Sequence, residues 1–236
     1  MNTIYAGLAA PISGLAADTD WSIMRPQLLE DLGKTLYMVG MSLLIGGILG
    51  LIVGLALYLT RRGNLFQNGV IYTVLNILVN IVRPIPFIIF IAAIGPATKA
   101  VVGTTLGERP AIFAMSIMTT FAFSRLVEQN LVSLDPGVIE AARAMGASRL
   151  RVIATVIVPE ALGPLILGFT FLFIGVVDMS AMAGVVGAGG LGDFAIRWGY
   201  QRFNWEITFV TLVVIVLLVQ AAQFLGNWLA RRVMRR

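Results

Sequence analysis

Few side chains in this 236-residue chain can do chemistry, and their types narrow what that chemistry is. There is no Cys and no His. That removes disulfides, thiolate metal sites, the commonest general base and the usual zinc ligands. Serine hydrolysis through a histidine base goes with them, as does zinc hydrolysis through paired helical histidines. The charged groups that stand deep inside otherwise apolar stretches are Arg83, Arg125, Glu128 and Asp178. Aspartyl chemistry needs two close carboxylates, and Glu128 is the only other acid in such a stretch that Asp178 has available. Intramembrane charges are costly and are paired or functional. Asp178 therefore has three readings: it lines a pathway and binds a substrate amine, it pairs with Arg83 or Arg125, or it sits in a wet vestibule. Arg125 and Glu128 are three apart on one helical face, the spacing of a structural ion pair. Arg83 opens the break "RPIP", where freed carbonyls need a donor, so it caps broken backbone or meets a substrate carboxylate. The glycines of "GVVGAGGLGD", Gly184 to Asp193, follow an apolar helical run with no strand–helix unit around them. They permit a tight turn and close packing, and they are not a dinucleotide fingerprint; no P-loop pattern is present either.

The elements that must position these residues are membrane spans. The chain is 58% hydrophobic and 12% charged, where soluble domains carry about 25% charged residues. Five segments are long enough to cross a hydrocarbon core, which takes roughly 20 apolar residues as helix: about 36–60, 70–95 with Arg83 and its break, 110–134 with Arg125 and Glu128, 159–186 with Asp178, and 207–229. Barrel strands would be shorter and alternating. The expected fold is thus an all-α integral membrane protein with five transmembrane helices. Residues 1–34 are expected outside the core, as an extramembrane tail with a cleavable leader as the alternative over Met1–Asp18, followed by an interfacial segment, "WSIMRPQLLEDLGKT". Residues 35–230 form the transmembrane domain and 231–236 a basic tail. Gly46, Gly50 and Gly54 repeat every four residues, the spacing of close helix packing.

Lys and Arg counts near the span ends set the orientation. With the C-terminus inside, nine positive residues face the cytoplasm and six face out. The strongest single signal is "RRVMRR", directly after the last span. The N-terminus is expected outside and the loop between the third and fourth spans inside. The net charge of +5 then reflects topology and does not indicate nucleic-acid binding.

That inner loop contains "EAARAMGAS". Asp135 caps and Pro136 starts a short helix rich in Ala, Glu, Arg and Met. Gly146 ends it, or lets another surface approach closely. Small residues make a low-profile face suited to a groove; the alternative is a loop helix that only satisfies topology.

This stretch resembles the EAA signature of ABC-importer permeases: Glu140, Ala141, Ala142 and Gly146, then Val156, Val158 and Pro159 where the family favours I-x-L-P. Further stretches, "NIVRPIPF", "RLVEQNL" and "SAMAGVVGAGGLG", are similar to the methionine-import permeases. Pro84, Asp178 and Met179 depart from the expected pattern. The resemblance implies a short cytoplasmic coupling helix between spans three and four, with Glu140, Ala141, Ala142, Arg143, Met145 and Gly146 docking on a separate ATPase dimer. It implies a homodimeric permease in the bacterial inner membrane, fed by an extracytoplasmic substrate-binding protein. No cofactor is expected in this chain, ATP and Mg belonging to the ATPase, and the chain is expected to be a transport subunit and not an enzyme. The implied solute is methionine, with another amino acid or small solute as the alternative. Ser180, Met182 and Asp178 are the candidates for gate and pathway. A two-fold pathway can be closed by one apolar residue meeting its copy, and Met182, flanked by Ala181, Ala183 and Gly184, suits that role. The alternative is a Met that fills a packing gap.

Overall fold

The computed structural model describes residues 19–234, and every regular element among them is helical. The expectations for Met1–Asp18 and for Arg235 and Arg236 fall outside the described residues. The first helix, α1 (Trp21–Thr60), starts where Asp20 accepts the backbone N–H of Ser22 at 3.0 Å. The stretch expected to lie separately along the interface is helical and continuous with the first span. At 1.5 Å per residue such a helix is about 60 Å long, twice the hydrocarbon core of about 30 Å. Its polar end can stay helical because Asp31 and Thr35, both buried, find partners within the protein.

The second apolar stretch is two helices rather than one. Helix α2 (Gly69–Val82) is capped by Asn68, which accepts from Val70 and Ile71 N–H. It stops at Arg83–Pro84, and α3 (Phe87–Ala93) leaves at a bend of 107°. Two prolines within three residues remove backbone donors and forbid a continuous helix. Helix α4 (Gly95–Val102) follows and ends on Gly103 at φ +87°. Counting the bent pair once, the described residues hold five candidate spans; counting only unbroken helices, four.

Helix α5 (Glu108–Val132) is the central element, with Met115, Val127 and Leu131 buried. It packs along α1 through the glycine stripe. An added Cβ at Gly46 would lie 2.6 Å from Thr119 Cβ, and one at Gly54 2.5 Å from Val127 Cβ. The spacing read from the sequence thus marks a backbone-to-helix contact that no larger residue fits. After the short helices α6 (Pro136–Ala144) and α7 (Arg149–Val152), a wide turn over Ile153–Ile157 leads into α8 (Val158–Ala183). That π-type turn absorbs Pro159, so the chain stays helical through it. The glycine run then folds back through α9 (Leu191–Phe194), and α10 (Trp205–Met234) packs on α8.

Candidate functional site

Two regions gather the residues singled out by sequence, one on α6 and one at the end of α8. Helix α6 is bounded by local signals at both ends. Asp135 accepts the N–H of Gly137 at 2.8 Å, and Pro136 occupies the first helical position, where no N–H is needed. At the other end Gly146 takes φ +82°. Its N–H donates to the Arg143 carbonyl at 3.0 Å, and the Ala147 N–H donates to Ala142 at 3.1 Å. This is the paired closure of a Schellman end, which requires the left-handed residue that glycine supplies.

The helix shows two faces. Ala142 is buried and Ile139 partly so, and both belong to the apolar core. Glu140, Ala141, Arg143, Ala144 and Gly146 are exposed, and Met145 is 83% exposed. The result is a low surface of small side chains with one projecting methionine and one charge of each sign. Arg143 and Glu140 take part in no ion pair among the described residues, so both remain available to a partner.

The end of α8 is also divided by face. Phe171, Asp178, Met182 and Val185 recur at helical spacing on one exposed stripe. Met182 is 42% exposed. Asp178 takes part in no ion pair among the described residues, so of its three readings the pairing with Arg83 or Arg125 does not form. Ser180 lies on the opposite side: it is 2% exposed, and its hydroxyl donates to the Val177 carbonyl at 2.7 Å. Of the three pathway candidates, Asp178 and Met182 share a face and Ser180 does not.

Arg125 is committed elsewhere. It pairs with Glu128, as its spacing predicts, and also donates to Asn76 at 2.8 Å and to Asn80. The two amides lie one turn apart on α2, so this network ties α2 to α5. Arg83 stands at the end of α2, exposed, and its backbone N–H closes the helix on Val79.

Sequence reasoning missed what holds the end of α8. The glycines turn back at φ +95°, +79° and +86° for Gly187, Gly189 and Gly190. The Gly190 N–H then donates to Asp31 Oδ1 at 3.2 Å and the Leu191 N–H to Thr35 Oγ1 at 2.9 Å. Asp31 also accepts from Gln27 and Lys34. Gly192 lets α9 lie on Ala181, where a Cβ would come within 2.4 Å of backbone. The segment carrying Met182 is thereby anchored to α1. The only sequence signal was an acid and a threonine one turn apart.

Comparison with known proteins agrees with this arrangement. Residues 46–235 match the family described as "Binding-protein-dependent transport system inner membrane component". A probable D-methionine transport system permease protein MetI of Vibrio cholerae is 41% identical over 209 residues, covering 89% of this chain and 93% of the relative. The methionine import system permease protein MetP of Bacillus subtilis is 41% identical over 180 residues, covering 76% of this chain and 81% of the relative. A solved inward-facing structure of the MetNI methionine ABC transporter superposes with a TM-score of 0.86 at 38% identity, covering 89% of this chain and 97% of that one. An amino acid ABC transporter structure, 20% identical with a TM-score of 0.75, shares the fold. An exposed EAA-bearing helix on a body of membrane helices, matched over most of its length, places this multi-pass membrane protein: the chain belongs to the family of binding-protein-dependent transport system inner membrane components.

Proposed function

We propose that this chain is the membrane-spanning subunit of an ATP-driven methionine importer. The observation that carries the reading is the exposed α6 face, with Glu140 and Ala141 of the EAA stretch on it, in a chain about 40% identical to methionine permeases along most of its length. Two copies form the permease, an ATPase dimer with its ATP and Mg docks from the cytoplasm, and a substrate-binding protein delivers solute from outside. The N-terminus faces out and the basic C-terminal end faces in, as Arg231 and Arg232 in the last turn of α10 favour. The bent pair α2–α3 counts as one crossing of five.

In this reading α6 is the mechanical joint. Glu140, Arg143 and Met145 touch the ATPase, while Ala142 and Ile139 transmit its movement into the core. The joint can transmit force because both helix ends are closed by hydrogen bonds. The exposed stripe of α8 lines the pathway on the two-fold axis. Met182 meets its copy as a closable apolar constriction, and Asp178 offers a carboxylate to the passing ammonium group. The anchoring of the glycine turn on Asp31 and Thr35 gives that gate a fixed base. Ser180 supports the helix from within.

Uptake of labelled methionine into vesicles tests the assignment, with the permease, the ATPase subunit and the binding protein reconstituted together. ATP-dependent accumulation that requires all three is expected. Accumulation of another amino acid with no methionine uptake would overturn the solute, and ATP-independent uptake would overturn the class.

A further inference from the structure

The helical body carries an apolar groove that the transport reading leaves unused. It has a volume of about 570 Å³ and is walled by Leu44 and Ile48 of α1, Leu162 and Phe169 of α8, and Leu225 and Leu229 of α10. Its single hydroxyl, that of Thr170, is already donated to the Ile166 carbonyl at 2.8 Å. The wall therefore offers no free hydrogen-bonding side chain. The groove follows α8 from Leu162 to Phe173, a length of about 16 Å at helical rise. That is one leaflet's share of a hydrocarbon core about 30 Å thick.

At one end the groove runs into a second pocket that shares Leu162 and Leu229 with it and holds two charged side chains, Glu160 and Arg232. Both charged residues are exposed, and neither is in an ion pair among the described residues. The Arg232 guanidinium lies over the Trp228 ring at 4.9 Å. An amphipathic aromatic ring beside an arginine is the pairing found at the membrane–water boundary. A trough one leaflet deep thus ends at one cation and one anion.

We propose that groove and pocket together bind one zwitterionic aminophospholipid. An acyl chain lies along α8, the phosphate meets Arg232, and the ammonium meets Glu160. Arginine suits phosphate because its planar fork can donate two parallel hydrogen bonds, and basic pockets between membrane helices take lipid headgroups. Glu160 in the same pocket repels a purely anionic headgroup and gives an ammonium its acceptor. The charge pair therefore selects the zwitterion.

Native mass spectrometry of the intact permease–ATPase complex tests this, with phosphatidylethanolamine and phosphatidylglycerol of the same acyl chains as probes. The wild type is expected to retain phosphatidylethanolamine in preference. Arg232→Gln should weaken that retention about tenfold, the usual loss for a hydrogen bond to a charged group. Glu160→Gln should abolish the preference while leaving phosphatidylglycerol bound, and Leu225→Trp should fill the groove and displace either lipid. The same spectra report assembly; if Leu225→Trp fails to assemble, Ile48→Trp fills the groove from the opposite wall. Equal retention of both lipids by the wild type overturns the proposal, as does retention unchanged in all the variants. So does crosslinking of two copies through Leu225→Cys in this cysteine-free chain, which would mean that a second subunit covers the groove. No arm reads uptake, so the result is independent of which solute is carried.

Discussion

Glu140 and Gly146 stand six residues apart in one signature, yet they do different things. Glu140 is exposed and takes part in no ion pair among the described residues. Glu140→Lys should leave the melting temperature of the purified permease unchanged while abolishing co-purification of the ATPase and uptake. Gly146 has open space where a Cβ would go, so its constraint is φ +82° and not contact. Gly146→Ala should cost about 1 kcal/mol by forcing an L-residue into the left-handed region, seen as a lowered melting temperature before any loss of docking. Met182 is the residue-scale test of the pathway. The chain has no native cysteine, so Met182→Cys provides a unique thiol. Crosslinking between copies in the resting state, with a yield that changes on ATP trapping, is expected. A thiol that neither crosslinks nor changes accessibility across the cycle would remove Met182 from the gate.

Among the elements, the α1–α5 pair is the most constrained. Gly50 faces the Thr120 carbonyl, which a Cβ would approach to 2.8 Å, and Gly54 faces Ser124 and Val127 at 2.5 Å. Backbone cannot yield as a flexible side chain can. Gly54→Ala should therefore destabilise by about 1–3 kcal/mol, the usual cost of overpacking, whereas Gly40→Ala, inside the helix with nothing within 4 Å, should stabilise by up to about 1 kcal/mol. Thermal unfolding in detergent distinguishes the two. The clasp between α1 and the glycine turn makes a second element-scale prediction. Asp31→Ala leaves the buried Gly190 N–H without its acceptor, a loss of about 1–3 kcal/mol. Because that turn holds the base of the Met182 segment, the same variant should raise leak of small solutes through the reconstituted permease.

The number of times the chain crosses the membrane is a property of the whole molecule. Reporter fusions at Asn64 and Ala147 should read cytoplasmic, and fusions at Val102 and Gly199 external. External activity at Val102 requires the bent α2–α3 pair to traverse, since a re-entrant hairpin would return the chain to the side it left. Cytoplasmic activity at Gly199 would overturn the five-crossing reading altogether.

What the sequence determined by itself are the features that depend on near neighbours. A cap is a bond to a residue two or three positions away, so Asp135, Pro136 and Gly146 bounded α6 correctly from their order alone. The Arg125–Glu128 pair and the break at "RPIP" were legible for the same reason, and apolar run lengths marked the four to five helices long and apolar enough to cross a membrane. Composition spoke less well for 21–34, where polar residues suggested a separate surface segment. The structure makes them the end of α1, because Asp31 and Thr35 are satisfied by backbone N–H groups more than 150 positions away. The sidedness of α8 was equally hidden. Ser180 and Met182 are two residues apart in one motif, and only the packing of the other helices on α8 decides that the serine turns inward and the methionine out. A one-dimensional pattern records which residues can pair locally; which face of a helix stays uncovered is fixed by the bodies that pack against it.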